Sequence, residues 1–497
     1  MDSQFATHLS EQRGRGALAD ARHAGAAGGA ACGDLVRVSV RVEGGRIAEA
    51  GFDARGCGAA EAAGAAVVGL VEGRELLEAA GVSSQRVSEA LGGLSPPKFH
   101  AAELAADALH RALAAAAGDP GLELVTAPPS RRRTLVAMSG GVDSAVAAQL
   151  ALEAGDDVVA VTLELWSDPA TDGERSCCSP QAVLGARALA QRMRIPHLTL
   201  DLRAPFRAAV VDDFLAEHRA GRTPNPCVRC NGLVRFDAML ALAERLGAAR
   251  LATGHYARIA QGPGGPLVRA AADPAKDQSY MLARLSASEL ERLWFPLAEL
   301  AKPEVRALAR AAELPVADKR ESQDLCFLSG LGGQAFMRRH AGDGLAGSGE
   351  IVDGDGQVLG HHQGHHGFTV GQRRGIGVAG PEPLYVLATD ADSNRVVVGP
   401  RSALATHSVA LAPAHLHRGG EAVKAVKLRY RSEAVACRVV GEPRAGEHAR
   451  LELVLDRAVG GVAPGQSACL LASDRVVGWG TIASGGRAPR QESPRAA

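Results

Sequence analysis

The sequence predicts a multidomain protein. It reads as an α+β N-terminal domain, an α/β domain on a parallel sheet, a small β-rich central domain and a C-terminal β-barrel. Three observations support this. The chain has 497 residues, more than one ordinary core accommodates. From Thr134 onward, short apolar runs alternate with helix-length stretches, the pattern of βα units on a parallel sheet. From about residue 405 the period becomes two, in 422–439, 448–455 and 467–482, as a small barrel requires. The expected divisions are 1–120, a linker over 121–133, 134–328, 329–403, 404–485 and a disordered tail over 486–497.

The N-terminal elements follow from local pattern. Residues 35–42 alternate strictly, Glu43-Gly44-Gly45 makes a turn, and 46–55 reads as the returning strand of a hairpin. Ala-rich helical stretches over 59–72 and 100–117 are separated by Ser95-Pro96-Pro97. Residues 119–133 are Pro-rich and then basic, the texture of a linker. Beyond it, the apolar run Thr134 to Met138 meets a Ser-Gly-Gly loop. A helix is expected from Asp143 to Ala154, and further buried strands at 157–163, 197–202 and 250–253.

Composition excludes some classes. Lys plus Arg and Asp plus Glu both number 55, so any nucleic-acid surface is a local patch and not a global field. No apolar window of about 18 residues occurs, so no membrane span is expected. The first residues lack a signal-peptide core, and a cytoplasmic location is the expectation. There the nine cysteines read as thiols, metal ligands or redox catalysts rather than structural disulfides. Cys437 and Cys469 lie in β runs and read as core; Cys177 and Cys178 sit in a charged loop.

Met138-Ser139-Gly140-Gly141-Val142-Asp143-Ser144 stands between a buried strand and a helix. A glycine pair there lets backbone N–H groups converge on a phosphate at the positive helix end. The Ser139 and Ser144 hydroxyls add donors, and Asp143 is placed to orient a nucleotide or assist with Mg2+. Walker and dinucleotide patterns are both absent. The string resembles the PP-loop of the N-type ATP pyrophosphatases, which leave AMP on a carbonyl oxygen.

Further segments select among PP-loop families. They are Gly221 to Asn231 with Cys227 and Cys230, Ala252-Thr253-Gly254-His255-Tyr256, Lys276-Asp277-Gln278-Ser279-Tyr280 and Ser322 to Phe327 with Cys326. Gly371-Gln372-Arg373-Arg374-Gly375 and Pro464-Gly465-Gln466-Ser467 complete the set. Over residues 134–485 the chain resembles the MnmA-type tRNA-uridine 2-sulfurtransferases. The resemblance implies ATP-dependent thiolation of the wobble uridine in tRNAs with Lys, Glu and Gln type anticodons. It implies a persulfide on Cys326 and Cys230 as the partner nucleophile. ATP would be held by Ala137 to Ser144, Leu163 and Gly254. Asn225, Pro226 and Cys227 would meet the target base, and His255, Lys276, Asp277, Gln278, Arg429, Tyr430 and Gln466 would meet tRNA. A cysteine desulfurase or sulfur-relay protein would supply sulfur. Cys227 stands where better-known members carry Asp, so Cys227, Cys230 and Cys326 also suit a [4Fe-4S] cluster; relay and cluster are rival uses of the same thiols.

Residues 13–118 carry Cys32-Gly33-Asp34, Gly56-Cys57-Gly58 and Pro96-Pro97-Lys98-Phe99-His100. This is similar to the IscU/NifU-type iron–sulfur scaffold domains. By that resemblance Cys32, Asp34, Cys57 and His100 would hold an iron–sulfur cluster or zinc. Ala101 occupies the place of the family's third cysteine. A docking platform for a sulfur donor is the other use of such a module, and an iron–sulfur assembly or carrier protein is the alternative function for the whole chain.

Overall fold

Strict alternation in the first domain folds as expected. In the computed structural model, Leu35–Glu43 (β2) and Arg46–Arg55 (β3) pair antiparallel, with His23–Gly28 (β1) on the free side of β2. Val36, Val38, Val40 and Val42 are all buried on one face. The structure describes residues 3–29, 33–126, 129–168, 180–320, 325–328, 331–342, 345 and 347–487. Its chain divides into two units. One comprises Met1–Ala204, Asp237–His255 and Arg292–Phe327; the other comprises Pro205–Phe236, Tyr256–Glu291 and Leu328–Ala497.

In the first unit, helix Ser3–Glu11 (α1) precedes the sheet, which is covered by helices Gly58–Val71 (α2) and Phe99–Gly118 (α5). Between them lie the short helices Leu76–Ala79 (α3) and Ser84–Ala90 (α4), which have too few turns to show periodicity in the sequence. Alanine dominates both long helices because small side chains let the backbones approach. Ala101, Ala102, Ala105, Ala108, Ala112 and Ala116 of α5 are all fully buried.

The same unit holds the parallel sheet. Strands Ser130–Ala137 (β4), Asp157–Glu164 (β5) and His197–Asp201 (β6) are connected through helices Val142–Glu153 (α6) and Pro180–Arg192 (α7), and Ala248–Thr253 (β7) joins the sheet on the other side of β4. The order is Leu293–Trp294, β7, β4, β5, β6, every pair parallel. The chain reverses direction across the sheet between β4 and β7, so their carboxyl ends border a crevice, the usual ligand site of such sheets. β4 starts ahead of the apolar run: Ser130 N donates to Gly247 O at 2.8 Å, and Arg133 bonds Asp157 Oδ2 and Leu246 O, each at 2.8 Å. The arginine triplet is therefore strand, and any linker ends before it.

The N-terminal domain is tied to this sheet by polar contacts. His197 N at the start of β6 donates to Ala80 O, and Gln191 Nε2 donates to Val82 O. Arg187 of α7 pairs with Asp107 of α5 at 2.8 Å, and Arg245 donates to Ala117 O and Leu122 O.

In the second unit, strands Ala405–Leu416, Leu451–Gly460, Val435–Val439, Ala425–Lys427, Ser467–Ala472 and Arg475–Arg487 run in that order. The last pairs back on the first to close a six-stranded antiparallel barrel. Inward-facing Val409, Leu411, Val426, Leu453, Leu470 and Ile482 fill it, together with Cys437. The sequence reading of Cys437 and Cys469 as core holds; both thiols are buried and burial pushes each up to about 12. A four-stranded sheet over 349–399 has its own small core of Ile351, Ile376, Val386, Val396 and Val398. Among the described residues, no helix is long and apolar enough to cross a membrane.

Candidate active site

The phosphate loop leaves β4 at Ala137 and enters α6 at Val142, with Gly141 as the N-cap. Met138 N donates to Val161 O and its carbonyl accepts from Thr162 Oγ1, which fixes the loop's root on β5. Ser144 Oγ accepts from Ser139 N at 3.1 Å and donates to Gly141 O at 3.0 Å. Gly140 has φ +70°, a conformation that side chains resist, so glycine is required for the turn. Gly254, at the end of β7, faces the first turn of α6. A Cβ there would lie 2.8 Å from the Asp143 carbonyl carbon, so only glycine admits this approach. Sequence-predicted Ala137 to Ser144 and Gly254 thus meet at the switch point. Leu163, half-buried, lies one residue from the end of β5.

Two lysines absent from the sequence reading reach this loop. Lys302, at the start of helix Lys302–Ala311, puts Nζ 2.6 and 2.8 Å from the two Asp143 carboxylate oxygens; its side chain is 10% exposed. Lys319 Nζ donates to Gly140 O at 2.9 Å. No local pattern announces either contact, since both partners lie more than a hundred residues upstream. His255 receives or donates a bond at 2.8 Å with Thr253 Oγ1, and its ring meets Phe295 edge-on. Cys326 is half-buried beside the buried Phe327 in this unit.

The second unit carries the other two thiols. Asn225 caps a five-residue helix, Pro226–Cys230, its side-chain oxygen accepting from Val228 N at 3.2 Å, with Pro226 at the first helical position. That is the standard chemistry of a helix start. Cys227 is half-buried; Cys230, one turn on, is 4% exposed. Helix Pro226–Cys230 continues into a π-helical turn, Asn231–Arg235, a distortion often found at functional sites.

Pro464-Gly465-Gln466 clamps the approach to this helix. Thr223 N donates to Pro464 O at 2.8 Å, and Gln466 Nε2 donates to the carbonyls of Thr223 at 3.0 Å and Pro224 at 3.2 Å. The Tyr280 hydroxyl donates to Ser467 O at 2.7 Å, and its buried ring lies 6.0 Å from that of half-buried Tyr430. Burial pushes the Tyr430 phenol up, and nearby Cys227 reinforces the shift. Asp277 is turned inward: its oxygens accept from Ala271 N, Ser279 N and Ser279 Oγ. Gln278 Oε1 accepts from Tyr256 N at 2.9 Å. Arg429 donates to Val370 O at 2.9 Å, and Lys276 is half-buried.

In the N-terminal domain, Asp34, Cys57 and His100 converge, with ligand atoms all within 4.8 Å of one another. Cys57 Sγ and His100 Nε2 each lie 3.1 Å from Asp34 Oδ2. Burial opposes the charge on Asp34, yet these hydrogen bonds hold its carboxyl below the ordinary value. His100 Nδ1 donates to Pro97 O at 3.0 Å, which turns Nε2 toward Asp34; a metal bound there would take the Nε2 lone pair in place of the hydrogen bond to Asp34. A carboxylate, a thiol and an oriented imidazole are the donor set of a tetrahedral metal site, so these residues fit one. Cys32 lies outside the described residues, as do Cys177 and Cys178. Ala101 is fully buried in α5, so this domain offers no thiol at that position.

Family comparison matches four stretches of the chain. Residues 2–119 match a NifU-like N-terminal domain, 132–330 a tRNA methyl transferase HUP domain, 334–400 a tRNA methyl transferase PRC-barrel domain, and 407–482 an aminomethyltransferase β-barrel domain. The chain is 44% identical over 486 residues to the bifunctional protein NifU/MnmA of Rubrobacter xylanophilus, covering 96% of this chain and 97% of that one. It is also 44% identical to the tRNA-specific 2-thiouridylases MnmA of Acidithiobacillus ferrooxidans and Rhodospirillum rubrum. Those cover 71% of this chain and 98% and 97% of theirs. Fold, loop and relatives define a tRNA sulfurtransferase that carries a NifU-like domain ahead of its catalytic part. The chain belongs to the MnmA family of tRNA-specific 2-thiouridylases, in its NifU-fused form.

Proposed function

We propose that this enzyme replaces the C2 oxygen of the tRNA wobble uridine with sulfur at the expense of ATP. The observation that carries the proposal is the SGGVDS loop folded at the switch point against Gly254. ATP sits on Ala137 to Ser144, Leu163 and Gly254. The uridine O2 attacks the α-phosphorus, and pyrophosphate departs with the electron pair of the broken P–O bond. The terminal sulfur of a Cys326 persulfide then attacks C2, and AMP leaves with the C–O electron pair. Cys230 thiolate attacks the Cys326 sulfur, which frees the thiolated base and leaves a Cys230–Cys326 disulfide for an external thiol to reduce. Loss of the N3 proton keeps the ring neutral.

Asn225, Pro226 and Cys227 receive the base beside Tyr430, while His255, Lys276, Gln278 and Arg429 face the tRNA. Gln466 and Asp277 act in this reading through the segments they hold. The substrates are tRNAs with Lys, Glu and Gln type anticodons, in the cytoplasm, and a cysteine desulfurase or relay protein loads Cys326. Mg2+ would offset triphosphate charge, but both Asp143 oxygens face Lys302, so this carboxylate does not fit as its direct ligand. Cys32, Asp34, Cys57 and His100 would hold zinc or a cluster iron, which keeps the bound sulfur as thiolate.

Deleting the gene and measuring tRNA nucleosides by mass spectrometry tests the function: 2-thiouridine should vanish. Complementation with Cys326→Ala or Cys230→Ala should fail to restore it. Unchanged 2-thiouridine in the deletion strain would refute the proposal. Iron and sulfide analysis of anaerobically purified protein separates the relay from the rival [4Fe-4S] cluster at Cys227, Cys230 and Cys326.

A further inference from the structure

The loop that receives ATP contains no cation of its own. Its donors are backbone N–H groups and two hydroxyls, and Ser144 Oγ is already engaged within the loop. A triphosphate that must shed pyrophosphate needs positive charge where the leaving group develops its negative charge. The two lysines at the loop differ in how free they are to supply it.

Lys302 is committed. It is buried, and its ammonium is neutralised by both oxygens of the part-exposed Asp143; pulling it away would break this ion pair and leave the carboxylate without its cation. Lys319 is held differently. It is exposed, and among the described residues Nζ meets a single neutral acceptor, the Gly140 carbonyl, at 2.9 Å. Its backbone is anchored: Arg306 donates to Ala317 O at 2.6 Å and to Lys319 O at 3.2 Å, fixing the turn from which the side chain reaches the loop. A phosphate oxygen forms a charge-assisted bond roughly twice as strong as one to a neutral carbonyl. An anion on the loop therefore displaces Gly140 O as the partner of Nζ without disturbing the backbone.

We propose that Lys319 is a catalytic residue that contacts the β,γ-phosphates of ATP and neutralises the departing pyrophosphate, while Lys302 only restrains Asp143. This rests on reading the loop as an adenylylation site. As the bond between Pα and the bridging oxygen breaks, its electron pair goes to that oxygen. Lys319 stabilises the charge through an ammonium hydrogen bond and keeps its proton.

The test uses full-length enzyme and in vitro transcribed tRNA, following tRNA-dependent release of pyrophosphate. Lys319→Ala should lower kcat by about 100-fold, the usual cost of losing one transition-state donor. Its KM for tRNA should be unchanged, and Lys319→Arg should recover most of the rate. Inhibition by added pyrophosphate should weaken at least about tenfold in Lys319→Ala while inhibition by AMP stays as in wild type, a signature that a merely structural lysine would not give. Lys319 is exposed, so the melting temperature should not move. Wild-type kcat and wild-type pyrophosphate inhibition in Lys319→Ala would overturn the proposal. If wild-type enzyme itself releases no pyrophosphate with tRNA, the adenylylation reading fails first, and the assignment of Lys319 falls with it.

Discussion

Asp107→Asn should loosen the packing of the N-terminal domain on the catalytic sheet. The substitution keeps the shape of the side chain and removes its charge. Arg187, whose side chain is 9% exposed, then keeps a guanidinium with no counter-ion, and its Nε has no hydrogen-bond partner among the described residues even in wild type. Removing one partner of a fully buried pair costs about 3–5 kcal/mol. Asp107 is 17% exposed at the rim of a half-open cleft, so the cost falls just below that range, about 2–3 kcal/mol. The second partner, Arg111, is 55% exposed on the same helix and adds about 0.5 kcal/mol at most. Hydrogen–deuterium exchange read by mass spectrometry is the assay. Exchange should rise in α5, α7 and β6, and stay unchanged in the barrel strands. Adding Arg187→Met removes the stranded charge and should recover much of the loss, as a double-mutant cycle would quantify. Protection of α5 and β6 indistinguishable from wild type in Asp107→Asn would refute the reasoning.

Two more outcomes follow from the same geometry. His110 is fully buried at this junction, its Nε2 donating a 2.8 Å bond to Val82 O, and burial lowers its pKa to about 3; His197 is held well below its ordinary value for the same reason. Both rings are neutral when folded and ionise in the unfolded chain near pH 6.5, so stability is complete above that pH. It falls with acidification, by about 2 kcal/mol per histidine at pH 5; a melting temperature flat between pH 5 and 7 would contradict this. Gln466→Leu removes two donors to the carbonyls that precede Asn225. It should lower kcat/KM for tRNA by about 5- to 30-fold, corresponding to ~1–2 kcal/mol, with KM for ATP unchanged, in steady-state thiolation assays.

Local pattern accounts for much of the fold and for part of the site. Period-two alternation in 35–42 and 46–55 produces the hairpin because one face must be buried, and the strand–loop–helix texture around Ser139 to Ser144 produces the parallel sheet. Asn225 and Pro226 carry their own instruction, a cap followed by a residue with no N–H to satisfy. Other features depend on partners distant in sequence. β4 begins at Ser130 because Gly247 supplies its hydrogen bond, which no hydrophobicity pattern near residue 130 encodes. The inward turn of Asp277 and the bonds of Gln466 to Thr223 and Pro224 likewise arise from segments joined only by folding.

By itself, then, the sequence determined the chemistry available: a loop shaped for phosphate, a set of thiols, and an N-terminal domain with Ala101 where its resemblance to the scaffold family implies a third cysteine. Those are properties of residue type and short spacing, and they survive in any conformation. Only the tertiary structure decided which charges act on that chemistry. Lys302 and Lys319 lie far along the chain from Asp143 and Gly140, and an ammonium at the start of a later helix or just past a later turn acquires a partner only when the β4–β7 crevice brings the loop to it.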